Sequence, residues 1–316
     1  MNIVFLCPPA GVINGGTKYL YRMATLLTES GHEVAMFEQN GQRPTWFETT
    51  LSVIGQGHLR PDSKQIFVLP EDQPELLASI KNWPQRKVIY AQNHFYGALG
   101  IGEAVNGYAD YGVTHILCSS HTIYDHSCMR HPTLKAYVIP CAIDTAQFKP
   151  LTKRKIIAYM PRKRGIEANY LRDMFRFTYP QHRDWEWQAI TDKSEAETAR
   201  LLGEAKVFLS LSRLEGFGLT PLEAMAAGCV AAGFTGIGGW EYATDANGFW
   251  SDEDDFPACI AQMARAVALA DLDGAALDLY HQACQQTLAP YTAETFRSAT
   301  LAAWTDILAT NATNIA

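Results

Sequence analysis

Residues 207–232 read VFLSLSRLEGFGLTPLEAMAAGCVAA. An apolar run, Val207–Ser210, leads into a loop with Gly216 and Gly218. A helical stretch, Pro221–Ala227, follows, and then a second apolar run, Val230–Ala232. Strand, glycine loop, helix, strand is the building unit of a parallel α/β sheet. Thr220 has the chemistry of an N-cap, and Pro is favoured at the first helical position, here Pro221. The free backbone N–H groups at such a helix start suit a phosphate or an oxyanion. Glu215 in the loop and Glu223 about one turn into the helix can face the same side. A carboxylate there accepts strong hydrogen bonds from sugar or ribose hydroxyls. Read alone, the two residues fit a loop charge and a solvated helix residue equally well.

The same pattern recurs on both sides. Ile3–Leu6 reads as a strand, followed by Gly11, Asn14, Gly15 and Gly16. A helix over Thr17–Glu29 carries Leu20, Met23, Ala24 and Leu27 at helical spacing and stops at Gly31. Strands are expected from Val34, at Gln65–Leu69, Lys87–Ala91, Thr114–Cys118 and Tyr137–Ile139, with a helix over Gln73–Lys81. Continuous apolar strands of this kind mean a sheet covered on both faces. Pro150–Arg154 reads as a linker, after which the alternation restarts. Strands at Lys155–Tyr159 and Glu186–Ile190 alternate with helices at Ile166–Arg176 and Ser194–Leu202. From Phe256 the chain reads as helices. The last of them, Phe296–Leu308, has an apolar face of Phe296, Leu301, Ala302, Trp304, Ile307 and Leu308. The final few residues read as frayed. Two α/β units in series predict two sheets facing each other across a cleft, with ligands at the carboxyl ends of the strands.

Several stretches resemble the retaining GT-B glycosyltransferases of family 4, the glycosyl transferases group 1 type. Glu215 and Glu223 match that family's E-x7-E signature, and Glu223-Ala224-Met225-Ala226-Ala227-Gly228 its following helix. Gly15 and Gly16, with Leu20, Leu26, Leu27, Gly31, His32, Glu33 and Val34, look like its opening helix. Val138-Ile139-Pro140-Cys141-Ala142-Ile143-Asp144, with Phe148 and Pro150, resembles another of its segments, although Cys141 and Ala142 replace the usual Asn-Gly. Gly238, Gly239 and Glu241, then Asn247-Gly248-Phe249, match the stretch after the helix. The resemblance covers nearly the whole chain. It implies two Rossmann-like domains, 1–150 on the acceptor side and 151–290 binding the nucleotide sugar. It also implies that residues 291–316 form a helix returning to the first domain.

The resemblance further implies roles. Glu215 would hold donor sugar hydroxyls and Glu223 the ribose. Gly216, Phe217, Gly218, Leu219 and Thr220 would line the donor, and Gly15 and Gly16 would let the backbone approach it. His94, placed at the end of the strand KVIYAQNH with Asn93 beside it, would contact the donor sugar. In the family an Arg and a Lys a few residues apart hold the diphosphate. Here PRKRG offers Arg162 as the match, with Lys163 or Arg164 as the second ligand. Basic side chains at a strand end are natural counter-charges for a diphosphate.

No metal site is expected. His115, Cys118, His121, His126, Cys128 and His131 are ligand types, but strand, turn and helix would scatter them. Asp252, Asp254 and Asp255 include an Asp-x-Asp, which reads as a solvated loop. GT-B chemistry calls for no cofactor, because basic residues and a helix start match the leaving charge. There is no G-x-G-x-x-G after the first strand and no G-x-x-x-x-G-K-[ST], which disfavours nicotinamide, flavin and P-loop chemistry.

Composition narrows the rest. The chain has 316 residues, 47% hydrophobic and 19% charged, with a net charge of −7. That supplies material for packed cores and argues against a nucleic-acid binder, which needs a basic face. No run of about 18 apolar residues exists, and the start, MNIVFLCPPAG, does not read as a secretory signal. Seven scattered cysteines argue against a disulfide framework and for a reducing, cytoplasmic compartment. The expectation is a retaining, metal-independent transferase moving a sugar from a nucleotide-diphosphate sugar to an acceptor hydroxyl. Its setting would be cell-surface polysaccharide or glycoconjugate synthesis. That setting leaves room for peripheral contact with a membrane carrying a lipid-linked acceptor. The rivals are an epimerase or phosphorylase on the same fold, and a non-catalytic sugar-nucleotide-binding subunit.

Overall fold

The computed structural model describes residues 2–7, 9, 11, 15–101, 104–272 and 274–310. Asn14 of the first glycine loop and the residues after Thr310 lie outside these. The chain divides into two compact units: residues 1–141 with 294–316, and residues 142–293.

Unit 1 holds strands β1 (Asn2–Leu6), β2 (Glu33–Phe37), β3 (Ser52–Ile54), β4 (Gln65–Pro70), β5 (Arg86–Ala91), β6 (Val113–Cys118) and β7 (Lys135–Val138). They form one parallel sheet in the order β3-β2-β1-β4-β5-β6-β7. Helices α1 (Gly15–Glu29), α2 (Pro74–Ser79), α3 (His94–Gly100) and α4 (His121–Arg130) connect them. The central strands are apolar on both faces, with Ile3, Phe5, Phe67, Val88 and Ile116 all buried. That pattern belongs to a parallel sheet covered on both sides.

Unit 2 holds β8 (Arg154–Tyr159), α5 (Gly165–Thr178), β9 (Glu186–Ala189), α6 (Glu195–Glu204), β10 (Ala205–Glu215) and α7 (Leu219–Ala226). Next come β11 (Val230–Ile237), β12 (Phe249–Ser251), α8 (Phe256–Ala270) and α9 (Ala275–Leu288). Its five strands are again parallel, in the order β12-β11-β10-β8-β9. Helix α6 opens with a full capping box: Ser194 accepts the Glu197 N–H while Glu197 reaches back to the Ser194 N–H.

The last helix, α10 (Ala293–Ala309), packs into unit 1. Trp304 lies against Phe5 with ring centroids 6.4 Å apart, and Phe296 meets Tyr19 edge-on at 5.9 Å. The Arg86 guanidinium donates to the Ile307 carbonyl (2.6 Å) and the Thr310 carbonyl (2.5 Å), satisfying groups that a helix end leaves free.

The structure differs from the sequence expectation at Pro150–Arg154. This stretch is not a linker between bodies, because the division falls after Cys141. Phe148 is already in the core of unit 2, and the Leu151 N–H donates to the Gly203 carbonyl at 3.0 Å. Lys153 turns inward. Its ammonium donates to the carbonyls of Leu202 (3.2 Å), Ala205 (2.7 Å) and Ala227 (2.6 Å), tying α6, β10 and α7 together at the amino-end edge of the sheet. Burial holds its pKa below the usual lysine value.

Candidate active site

In unit 2 the carboxyl ends of β10 and β11 build a glycine-rich rim. The two strands run in register from Val207 with Val230 to Ser212 with Thr235. The ladder then breaks and resumes with Glu215 opposite Ile237. The break lets Gly238 lie flat on Gly216, where a Cβ on Gly238 would strike the Gly216 backbone. Phe217 is buried between Tyr242 and Tyr291, at 5.4 and 5.1 Å between ring centroids. The Tyr242 hydroxyl donates to the Gly218 carbonyl at 2.6 Å. Burial, aided first by the nearby Glu215 charge, raises the Tyr242 pKa far above the usual phenol value, so it stays a donor.

Helix α7 starts earlier than expected. Its cap is Gly218, in the left-handed region at φ +84°, and Leu219 and Thr220 are its first residues. Thr220 is therefore inside the first turn, its hydroxyl 3.7 Å from the Met160 sulfur. Pro221 stands at the third position instead of the first. The reason is backbone geometry: only the left-handed turn at Gly218 brings the chain from the Phe217 pocket into the helix, and a residue with a Cβ resists it.

The three basic residues part company. Arg162 is exposed, and none of the described residues pairs with it. Lys163 is half-buried, donates to the Arg213 carbonyl (2.9 Å) and forms an ion pair with Glu215 at 2.7 Å. Arg164, expected as a possible diphosphate ligand, is buried and occupied. Its guanidinium meets the Glu253 carboxylate at 2.5 Å, the Asp254 carboxylate and the Ser212 carbonyl (3.3 Å), and it lies over the Phe234 ring. A cation with no exposed surface has to be paired inside the protein, and here it is. Asp252, Asp254 and Asp255 are exposed, as a solvated loop would be, but the loop is also engaged: Glu253 and Asp254 pair with Arg164, and the Asp255 carboxylate caps α8 through the Ala258 N–H. Glu223 sits on α7, half-buried, and its charge reaches Tyr242 as that of Glu215 does. Glu253 and Tyr242 are the residues that motif reading passed over. The adjacent Gly238-Gly239 pair signals the second, since so tight a turn needs a group to hold it.

In unit 1, Gly15 and Gly16 begin α1, and the Gln92 side chain donates to the Gly16 carbonyl at 3.1 Å. His94 does not end a strand. Strand β5 stops at Ala91, and His94 opens α3 beside its cap, Asn93, whose side chain accepts the Phe95 N–H at 3.0 Å. The His94 ring stacks on His126 at 4.3 Å, and burial followed by the His126 charge brings its pKa down to about 4. It is therefore a neutral imidazole at ordinary pH, and its Nδ1 has no hydrogen-bond partner among the described residues. Beneath this turn lies Glu71, fully enclosed. It accepts the backbone N–H groups of Gln92 and Asn93, while burial pushes its pKa up to about 8. The histidine and cysteine cluster is dispersed: His126 bonds the Thr122 carbonyl (2.8 Å) and His131 accepts the Tyr108 N–H (3.3 Å). Among the described residues no three His, Cys, Asp or Glu side chains gather to hold a metal. None of the described helices is long and apolar enough to cross a membrane.

Comparison with known proteins gives three results. Residues 188–273 match the family model for glycosyl transferases group 1. An alpha-1,6-glucosyltransferase of Actinobacillus pleuropneumoniae serotype 7 (strain AP76) is 28% identical over 221 residues, 65% of this chain and 64% of that protein. The chain thus matches somewhat under two thirds of that relative's length. Among solved structures, sucrose-phosphate synthase from Thermosynechococcus elongatus superposes with a TM-score of 0.68 at 14% identity, over 98% of this chain and 99% of that one. An alpha-glucosyltransferase in complex with UDP gives 0.63 at 13%, over 98% and 99%. Family match and fold agree: the chain has the GT-B fold and, over residues 188–273, is similar to the glycosyl transferases of group 1.

Proposed function

We propose that this chain is a glycosyltransferase that moves a sugar from a nucleoside-diphosphate sugar to an acceptor hydroxyl, with retention at the anomeric carbon. The observation that carries this reading is the rim of unit 2. There an exposed arginine (Arg162), a lysine–glutamate pair (Lys163–Glu215) and the start of α7 stand on neighbouring strand ends. Each meets a different part of such a donor. Arg162 and the N–H groups after Gly218 match the diphosphate charge. Glu215 takes sugar hydroxyls and Glu223 the ribose. A diphosphate gives Lys163 a second anionic partner and frees Glu215 for the sugar. In unit 1, Gly15, Gly16 and the neutral imidazole of His94 serve the same reaction, the imidazole as a hydrogen-bonding group at the donor sugar.

In the chemical step the acceptor oxygen bonds to the anomeric carbon as the bond to the diphosphate oxygen breaks. Attack occurs on the face the diphosphate leaves, and that diphosphate receives the acceptor proton. Positioned cations and backbone dipoles then do what a metal ion does elsewhere. The proposal is therefore metal-independent. The commitment of Asp254 to Arg164 and of Asp255 to the α8 cap supports it. Free thiols at all seven cysteines support a reducing, cytoplasmic setting. A cell-surface glycan or glycoconjugate, including a lipid-linked one at a membrane face, is the acceptor class the family resemblance favours.

Calorimetry with a panel of nucleoside-diphosphate sugars, followed by product analysis, tests the reading. One donor should bind, and turnover should persist in excess chelator. Glu215→Ala should nearly abolish turnover, and Arg162→Ala should lower it roughly ten- to a thousand-fold. Glu223→Ala should weaken donor binding by about 1–3 kcal/mol. If no donor binds, or if chelator stops turnover and manganese restores it, the proposal is wrong.

A further inference from the structure

Arg164 joins four segments that the sequence holds far apart. It follows the turn after β8. Its Nε donates to the Ser212 carbonyl of β10, one guanidinium nitrogen meets Glu253 at 2.5 Å, and another meets Asp254. The Phe234 ring of β11 lies against it, with the guanidinium carbon 4.4 Å from the ring centre. Glu253 extends the connection, because its second carboxylate oxygen accepts the Gly236 N–H at 2.8 Å. Asp254 extends it the other way, toward Arg213 at 3.8 Å. One buried cation thereby fixes the carboxyl ends of β8, β10 and β11 and the loop after β12.

The segments it fixes do not hold themselves in place. Leu214 has φ +49°, Asp254 has φ +64°, and Ile237 has φ +72° with ψ −59°. The last is the strained form of a three-residue turn, rare for any residue and costly for a β-branched one. Backbone in such a conformation persists only where its surroundings over-determine it. The Glu253–Gly236 bond sits one residue before Ile237, and the Arg164–Ser212 bond two residues before Leu214. Gly238, one residue past Ile237, packs on Gly216 in the glycine-rich rim.

We propose that Arg164 is a positioning residue. With Glu253 and Asp254 it holds the turns at 212–218 and 236–241 in the arrangement that presents Glu215 and the Gly216–Thr220 backbone to the donor. It thereby sets donor affinity without touching donor. The affinity part of this inference rests on the function proposed above; the holding of the turns does not. Guanidinium geometry is central, since a planar fork reaches two carboxylates and a carbonyl through three separate nitrogens while its flat face lies on the Phe234 ring.

The test uses the full chain. Arg164→Ala risks unfolding unit 2, so the informative variants are Glu253→Gln and Asp254→Asn, at carboxylates that reach the surface. Two quantities are read: amide hydrogen exchange along the chain, and calorimetric affinity for uridine, guanosine and adenosine diphosphates tested singly. In Glu253→Gln, exchange should rise at least tenfold at 212–218 and 236–241 and stay unchanged in unit 1 and in the remaining strands of unit 2. Affinity for the nucleotide that wild type binds should fall at least tenfold. Restoring the carboxylate as Glu253→Asp should recover part of both. Unchanged exchange at the two turns would overturn the clamp, as would exchange rising evenly through unit 2. Locally raised exchange with undiminished nucleotide affinity would overturn its role in donor binding. Locally raised exchange in a chain whose wild type binds none of the three nucleotides would support the clamp and overturn the donor reading.

Discussion

The two units share an architecture but build their strand ends by opposite means. In unit 2 the rim is strained backbone held by charge. The described non-glycine residues with positive φ, namely Asp192, Leu214, Ile237 and Asp254, all lie there, at or just after the ends of β9, β10, β11 and β12. Among the described residues of unit 1 no non-glycine has a positive φ, and buried side chains pin the turns. The Glu38 carboxylate accepts the N–H groups of Asn40 (2.9 Å) and Gln42 (2.8 Å) after β2, and Glu71 does the same for Gln92 and Asn93 after β5. A turn pinned by an enclosed carboxyl or imidazole depends on proton occupancy. A turn held by ion pairs over strained backbone depends on close packing and on charge. Strain of this kind gathers where a site needs a geometry the chain would not choose.

The sharpest way to break the contrast is a pair of glycine substitutions. Gly238→Ala drives a methyl into the Gly216 backbone and should cost about 3 kcal/mol, the upper range for overpacking, while removing nucleotide binding. Gly97→Ala on α3 meets nothing nearer than the Tyr108 hydroxyl oxygen at 3.5 Å. It should stabilise by roughly 0.5–1 kcal/mol through helix preference. Thermal unfolding of both variants decides, and equal effects would erase the distinction between the rims.

The next effect belongs to unit 1 and to pH. A Glu71 pKa raised from 4.5 to about 8 means the folded state keeps a proton that the unfolded state releases. Stability from this group therefore falls as pH rises from about 4.5 to 8, by up to about 1.4 kcal/mol per pH unit. His94 and His131, lowered to about 4 by burial, act in the other direction. The unfolded state binds their protons first, so stability from them is lost as pH falls from 6.5 toward 4. Denaturant titrations between pH 6.5 and 8 isolate the carboxyl. Wild type should weaken across that interval, and Glu71→Gln should weaken less. Parallel slopes would remove Glu71 from the account.

Smaller effects sharpen the comparison. Ile237→Gly relieves a backbone cost of about 1–3 kcal/mol and adds a glycine entropy cost of about 0.5–1. Stability in denaturant should rise by about 1 kcal/mol, and a loss of that size would mean the side chain matters more than the turn. Smallest is Arg297→Ala, which removes an exposed pair with Glu29 at 3.8 Å. Its melting temperature should stay within what a change of about 0.5 kcal/mol produces. A larger drop would show unit 1 relying on surface charge after all.

Much of the fold was legible because buried parallel strands announce themselves as apolar runs between helices. The runs at Ile3–Leu6, Val207–Ser210 and Val230–Ala232 are all strands. Strands β3 and β12 escaped notice because they have three residues each at sheet edges, too short to show a period. The length of β10 escaped because its last residues are polar. For the candidate site, the sequence shows residue types and spacing and nothing of burial. Arg162, Lys163 and Arg164 are alike as letters. That one is exposed, one paired with Glu215 and one enclosed depends on Glu253 and Asp254, about ninety residues away. Glu71 was invisible for the same reason, being a single acidic letter after a strand until the turn after β5 closes over it.

Helix α10 carries a consequence for synthesis on the ribosome. Unit 2 is one uninterrupted stretch, whereas unit 1 needs residues 294–310 to cover Phe5 with Trp304 and to engage Arg86. A nascent chain lengthens by roughly 5–20 residues per second. On that clock the first half of the protein to emerge is the last to finish. Its sheet waits, with the surface under Trp304 uncovered, while all of unit 2 is made and can fold. The early strands thus stay uncovered through that interval, and a nonsense codon shortly before Trp304 would leave unit 1 unfinished while unit 2 is whole.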